Sequence, residues 1–114
     1  MRFTLAIRGV LPSLSWAAPA STPELIAKGK MAYTANCVTC HGDKGNGLGP
    51  AGKYMSPKPR NFIVDKFKNG ETASEIFTSI SKGIDGTSMV GFVTIPEDDR
   101  WGLVYYVQSF KPKK

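Results

Sequence analysis

Residues 42–70 constrain the fold of this chain more than any other stretch. Gly42, Gly45, Gly47 and Gly49 lead into Pro50, then Pro57 and Pro59, with no helical or strand periodicity running through them. Glycine and proline at that density interrupt both regular structures. A chain of 114 residues has room for one compact domain, in which so long an irregular stretch is unusual. Side chains alone do not account for it, so this loop needs some other support.

Around the loop the sequence spells three helices. Ser21-Thr22-Pro23-Glu24 reads as a start, with a hydroxyl cap, proline in the first turn and Glu24 three residues after Ser21. Leu25, Gly29, Ala32, Tyr33 and Asn36 then recur at helical spacing. Gly29 costs about 1 kcal/mol there relative to alanine. Either it is a tolerated weak point or another helix approaches it closely, and this segment alone leaves both readings open. Thr72-Ala73-Ser74-Glu75 opens a second helix, with Ile76, Phe77 and Ile80 on one face and Gly83 as a stop. The third begins near Thr94 to Glu97, with Pro96 in its first turn. Glu97, Asp98 and Asp99 meet the positive end of its dipole. Trp101, Leu103, Val104, Tyr105, Tyr106 and Val107 make it apolar nearly all round, which predicts burial. Met89 to Ile95 is the only stretch with a hint of strand alternation, and no repeat is visible. The fold class is mostly α, with short helices and long loops.

The first twenty residues read as a secretory signal peptide. Arg2 and Arg8 flank a short start, a brief apolar run reaches Trp16, and Ala18-Pro19-Ala20 fits a small-residue cleavage pattern. The run is too short to span a bilayer. A buried helix is the alternative, and Pro12 counts against it. Residues 21–114 then form the domain, expected to be exported, periplasmic in a bacterium, and soluble, since no later stretch is apolar enough to cross a membrane. Lysine and arginine number 15 against 9 acidic residues, a formal charge of +6. That balance suits an acidic protein, an anionic membrane or nucleic acid. No nucleic-acid motif is present and export argues against that partner. Gly42 to Gly49 lacks the Lys-Ser/Thr ending of a phosphate-binding loop.

The chemistry is concentrated in Cys37-Val38-Thr39-Cys40-His41, which holds both cysteines and the single histidine. C-x-x-C-H is the attachment signature of c-type haem. Two thiols at this spacing reach two vinyl groups on one porphyrin edge, and the adjacent imidazole lies beneath the iron. Such attachment takes place outside the cytoplasm, in agreement with the signal-like start. Three rivals are weaker. A disulfide across C-x-x-C closes a very small loop and leaves His41 unexplained. A thioredoxin-type pair calls for a βαβ setting that the sequence lacks. Structural zinc needs four ligands, and Cys37, Cys40 and His41 are the only soft ones outside methionine.

On these residues the chain resembles the small class I monohaem cytochromes c, over essentially all of residues 21–114. The matching features are Gly29 and Tyr33, Cys37-Val38-Thr39-Cys40-His41-Gly42, Gly47-Leu48-Gly49-Pro50, Gly83-Ile84-Asp85-Gly86-Thr87-Ser88-Met89 and the tryptophan-led last helix. The resemblance implies a cytochrome c fold, with short helices and long loops wrapped around one haem bound through Cys37 and Cys40. That haem would be the support the long loop lacks. It also implies a close crossing of first and last helices at Gly29, with Tyr33 and either Tyr105 or Tyr106 packed there. His41 would be the proximal ligand, its Nδ1 hydrogen-bonded to the carbonyl of Pro50. For the distal ligand, Met31 lies on the motif's own helix and is badly placed to reach the opposite face. Met55 is within reach, since an extended connection from His41 spans about 45 Å. Loop context and family position favour Met89. Val90 departs from the proline that often follows this ligand, which implies a less rigid strap.

The function expected is that of an exported, soluble, single-haem electron carrier, not an enzyme, cycling between Fe(II) and Fe(III) with redox protein partners. Some of Lys44, Lys53, Lys58, Arg60, Lys66, Lys68 and Lys82 would steer an acidic docking surface. The alternative is a haem enzyme or ligand sensor with an open or displaceable distal position. A third possibility is a subunit docked permanently on a larger redox enzyme.

Overall fold

The computed structural model describes residues 17–112. Helix α1 spans Pro23–Asn36, α2 Val38–His41, α3 Ala73–Lys82 and α4 Glu97–Gln108, with a 3-10 turn at Gly52–Tyr54. The architecture is mostly helical, and no strand occurs among the described residues. The hinted strand at 89–95 is loop and turn. Most of the expected leader, residues 1–16, lies outside the described residues. Of the remainder, Ala18 packs against the core and Pro19 accepts a hydrogen bond from the Tyr105 hydroxyl at 2.5 Å.

Helix starts follow the sequence with small displacements. The hydroxyl that caps α1 is Thr22, accepting from the Leu25 N–H at 3.1 Å, rather than Ser21. Helix α3 begins on the expected capping box. Thr72 Oγ1 accepts from the Glu75 N–H and Glu75 Oε1 from the Thr72 N–H, both at 3.1 Å. Pro96 occupies the cap position of α4, one residue before the helix proper.

The core lies where α1 meets α4. Tyr33, Leu103 and Val104 are fully buried there, with Ala32, Trp101 and Val107 around them and Ile76 and Ile80 contributed by α3. Gly29 and Gly102 face each other at the crossing. A Cβ on Gly29 would sit 2.0 Å from the Gly102 carbonyl oxygen, and one on Gly102 2.4 Å from that of Leu25. The glycine is therefore required by close approach of backbones, which resolves its two readings. Tyr33 packs on Tyr106, with ring centroids 5.1 Å apart, and not on Tyr105.

The long loop is irregular apart from the 3-10 turn, and the backbone of α2 holds one end of it. Carbonyls at the end of a helix have no partner within it. Here the N–H groups of Gly47, Gly49 and Ala51 donate to His41, Cys40 and Thr39, at 2.8, 3.1 and 2.9 Å. Gly52 permits this, since a Cβ there would lie 2.0 Å from the Cys40 oxygen. Further on, the Phe62 N–H donates to Gly45 at 2.7 Å and folds the loop back across itself.

Candidate haem site

The helical path breaks at Cys37, whose φ of −119° ends α1 while its carbonyl starts α2. That carbonyl accepts from the N–H groups of Cys40 at 3.2 Å and His41 at 2.9 Å. A three-residue separation on one helical turn puts Cys37 and Cys40 on the same side. Both thiols are free and half-buried. Burial, and then the neighbouring Cys40, pushes the Cys37 thiol up to about 12. A thiol that holds its proton so firmly is a poor exchanger, which disfavours redox chemistry of the thioredoxin kind. Among the described residues no three His, Cys, Asp or Glu side chains gather as a structural zinc site needs.

His41 is held from two directions. Its ring stacks on Phe62, with centroids 4.4 Å apart and planes 20° from parallel. Its Nδ1 lies 3.3 Å from the carbonyl oxygen of Arg60. A carbonyl only accepts, so this contact places the proton on Nδ1 and leaves the Nε2 lone pair available to a metal. Burial lowers the pKa of the ring, and the Arg60 carbonyl partly offsets it. The oxygen against Nδ1 is thus that of Arg60 and not the expected Pro50. Pro50 is exposed and turns with the segment that bonds back onto α2. Arg60 is brought in by the turn after it. Asn61 Oδ1 accepts from the Ile63 N–H at 2.9 Å, and the Asn61 N–H donates to Asp65 at 3.0 Å. Sequence reasoning named Arg60 only as a docking cation and missed both the role of its carbonyl and Phe62. The available signal was Asn61, a side chain that builds such turns, beside a lone aromatic in a proline-rich run.

These groups open onto one cleft of about 270 Å³, close to the lower end of the ~300–1,000 Å³ usual for ligand pockets. Cys37, Cys40 and His41 line it together with Met55, Pro57, Pro59, Ile84, Met89 and Phe92. Lys58, Arg60 and Lys68 also line it. Apolar walls, two thiols, an imidazole, a thioether and cations for peripheral carboxylates match the donor set and surface of a porphyrin. The structure brings both Met55 and Met89 into this cleft, whereas Met31 is 75% exposed on α1 and takes no part. Of the other lysines expected near the site, Lys44, Lys53, Lys66 and Lys82 do not line the cleft.

The sequence profile of the family described as cytochrome c matches residues 26–111. A thiosulfate dehydrogenase of Stutzerimonas stutzeri (strain A1501) is 30% identical over 84 residues, which are 74% of this chain and 27% of that protein. A chain of the reducing HAO-like protein complex of Kuenenia stuttgartiensis superposes with a TM-score of 0.77 at 30% identity, covering 92% of this chain and 52% of that one. The chain thus spans about a quarter of the curated relative and about half of the solved one. With the motif, the cleft and a profile match over residues 26–111 in agreement, the chain belongs to the cytochrome c family, whose domain implies covalently bound haem c.

Proposed function

We propose that this chain is an exported electron-transfer domain carrying one haem c. The observation that carries the reading is the convergence of Cys37, Cys40, His41 and Met89 on one largely apolar cleft. Cys37 and Cys40 would hold the haem through thioethers formed with its vinyl groups, and His41 Nε2 and the Met89 sulfur would be the ligands of its iron. When bound, the haem supplies reversible one-electron chemistry between Fe(II) and Fe(III). The chain does the rest. Phe62 and the Arg60 carbonyl fix the imidazole, the apolar walls exclude water, and with both His41 and Met89 on the iron no position would be left for a substrate. That closed arrangement supports a carrier over an enzyme. The leader-like start, and the compartment in which thioether attachment occurs, support the export in this proposal. Among the described residues no helix is long and apolar enough to cross a membrane.

Partners are proposed to be redox proteins, met at the cleft mouth where Lys58, Arg60 and Lys68 favour an acidic surface. Both relatives are longer than this chain, and one is named for an enzyme and the other for a complex. That observation favours a second reading, in which the domain serves as the electron-transfer part of a larger redox assembly. The test is expression with a haem-maturation system, then intact mass of the denatured protein and visible spectra in both redox states. The chain plus one haem, and a reduced form that does not bind carbon monoxide, support the carrier. Ready carbon monoxide binding at neutral pH refutes the closed site and favours an enzyme or sensor.

A further inference from the structure

The loop that bears Met89 is anchored at its two ends and by a few hydrogen bonds in between. At one end the Gly83 N–H donates to Ser79 at 2.8 Å, closing α3. At the other the Phe92 N–H donates to Ile80 at 2.8 Å. Between them the backbone bonds to itself twice, with the Ile84 N–H donating to the Met89 carbonyl at 3.1 Å and the Thr87 N–H to the Ile84 carbonyl at 3.2 Å. Two side chains add to this: Lys68 Nζ donates to the Asp85 carbonyl at 3.1 Å, and Thr87 is the one that reaches Met89. The Thr87 hydroxyl donates to the Ile84 carbonyl at 2.7 Å and accepts from the Met89 N–H at 3.1 Å. Thr87 thereby ties the residue that bears the thioether to the start of its own loop. Val90 follows Met89 and, unlike proline, leaves the backbone torsions next to it free.

We infer that Thr87 is a positioning residue for the distal ligand, its hydroxyl holding Met89 at the iron and setting how often the thioether lets go. This deepens the reading above and rests on Met89 being the distal ligand. Without the hydroxyl, the Met89 N–H loses its partner within the loop and the Ile84 carbonyl loses one of its donors. Nothing else in the loop replaces both bonds, so the fraction of molecules with Met89 detached rises.

The test is a titration of the oxidised holoprotein with imidazole, which competes for the distal position. Apparent affinity scales with the fraction of protein in the competent, methionine-off state. Two lost hydrogen bonds of ordinary net strength predict that Thr87→Val binds imidazole about thirtyfold more tightly than wild type. Thr87→Ser keeps the oxygen and stays within about twofold of wild type. Thr87→Ala must move in the same direction as Thr87→Val, so the result does not depend on how valine packs. A purely structural role would lower the melting temperature of these variants and leave imidazole affinity unchanged, and that outcome overturns the proposal. Met89→Ala distinguishes the underlying assumption. It should tighten imidazole binding well beyond Thr87→Val. If it leaves affinity at the wild-type value, ligation by Met89 fails and the role of Thr87 falls with it.

Discussion

Replacing Gly29 by alanine should destabilise the domain, although in an isolated helix the same change would stabilise it. Helix propensity alone favours alanine by about 1 kcal/mol. Against this, the added Cβ would meet the Gly102 oxygen at 2.0 Å, its carbonyl carbon at 2.2 Å and the Leu103 nitrogen at 2.8 Å. All three are backbone atoms, so no rotamer change relieves the contact. Restoring a separation of 3.0 Å moves the helices apart by about 1 Å. A gap of that size removes a quarter to a half of the dispersion attraction along the seam of Ala32, Tyr33, Leu103 and Val104. Overpacking of this kind costs about 3 kcal/mol, leaving a net loss of about 2 kcal/mol after the propensity gain. For a domain of this size that is a fall in melting temperature of about 8–16 °C. Thermal unfolding of the holoprotein followed by far-ultraviolet circular dichroism measures it. Ala35→Gly, on the exposed face of α1, supplies the propensity term alone and should cost about 1 kcal/mol. A Gly29→Ala protein that melts at or above the wild-type temperature would refute the steric reasoning.

Three further outcomes are expected. Met89→Ala should lower the reduction potential, admit carbon monoxide to the reduced protein and abolish the weak long-wavelength sulfur-to-iron band of the oxidised one, because a thioether favours ferrous iron. Met55→Ala should do none of these, and a reversed pattern in potentiometry and visible spectra reassigns the ligand. Cys37→Ala with Cys40→Ala should leave the chain without covalent haem and largely unfolded, since the cleft walls would then lack the surface they bury. Native helix content with a cooperative melt in the haem-free protein contradicts this. Glu75 accepts hydrogen bonds from the Thr72 N–H and hydroxyl, which hold its carboxyl below the usual range. A depressed folded-state pKa stabilises above the unfolded value of about 4.3 and ceases to as pH falls through the folded one. The urea midpoint of wild type should therefore exceed that of Glu75→Gln at neutral pH, and the difference should shrink below about pH 4. A difference constant with pH would assign it to packing.

Local chemistry was readable wherever a helix announces its own ends. Thr72 and Glu75 fixed the start of α3, and the acidic run before Trp101 fixed that of α4, because capping is decided within four residues. The attachment motif was legible for the same reason, its spacing being its chemistry. Nonlocal partners were not. Helix α2 is a single turn that stands only because the loop bonds its carbonyls, and no residue in Val38–His41 advertises that. The partner of His41 is Arg60, nineteen positions on. Its carbonyl belongs to the backbone, which every residue shares, so identity at position 60 carries no trace of the role. Gly29 lay between these cases, visible as an anomaly and explained only by Gly102 across the crossing.

The bonds from Gly47, Gly49 and Ala51 to α2 bear on how the molecule opens. A four-residue helix cannot persist alone, and the first part of the loop has no regular structure of its own, so each exists on condition of the other. They form a single cooperative unit, and their amides should gain and lose protection from solvent exchange together. Because Cys40 and His41 belong to that unit, any fluctuation that frees the loop also loosens the proximal side. The imidazole proposed as ligand therefore depends, besides its contacts with Phe62 and Arg60, on a stretch of chain up to Ala51 that does not line the cleft, and a mutation there should be felt in ligand lifetime.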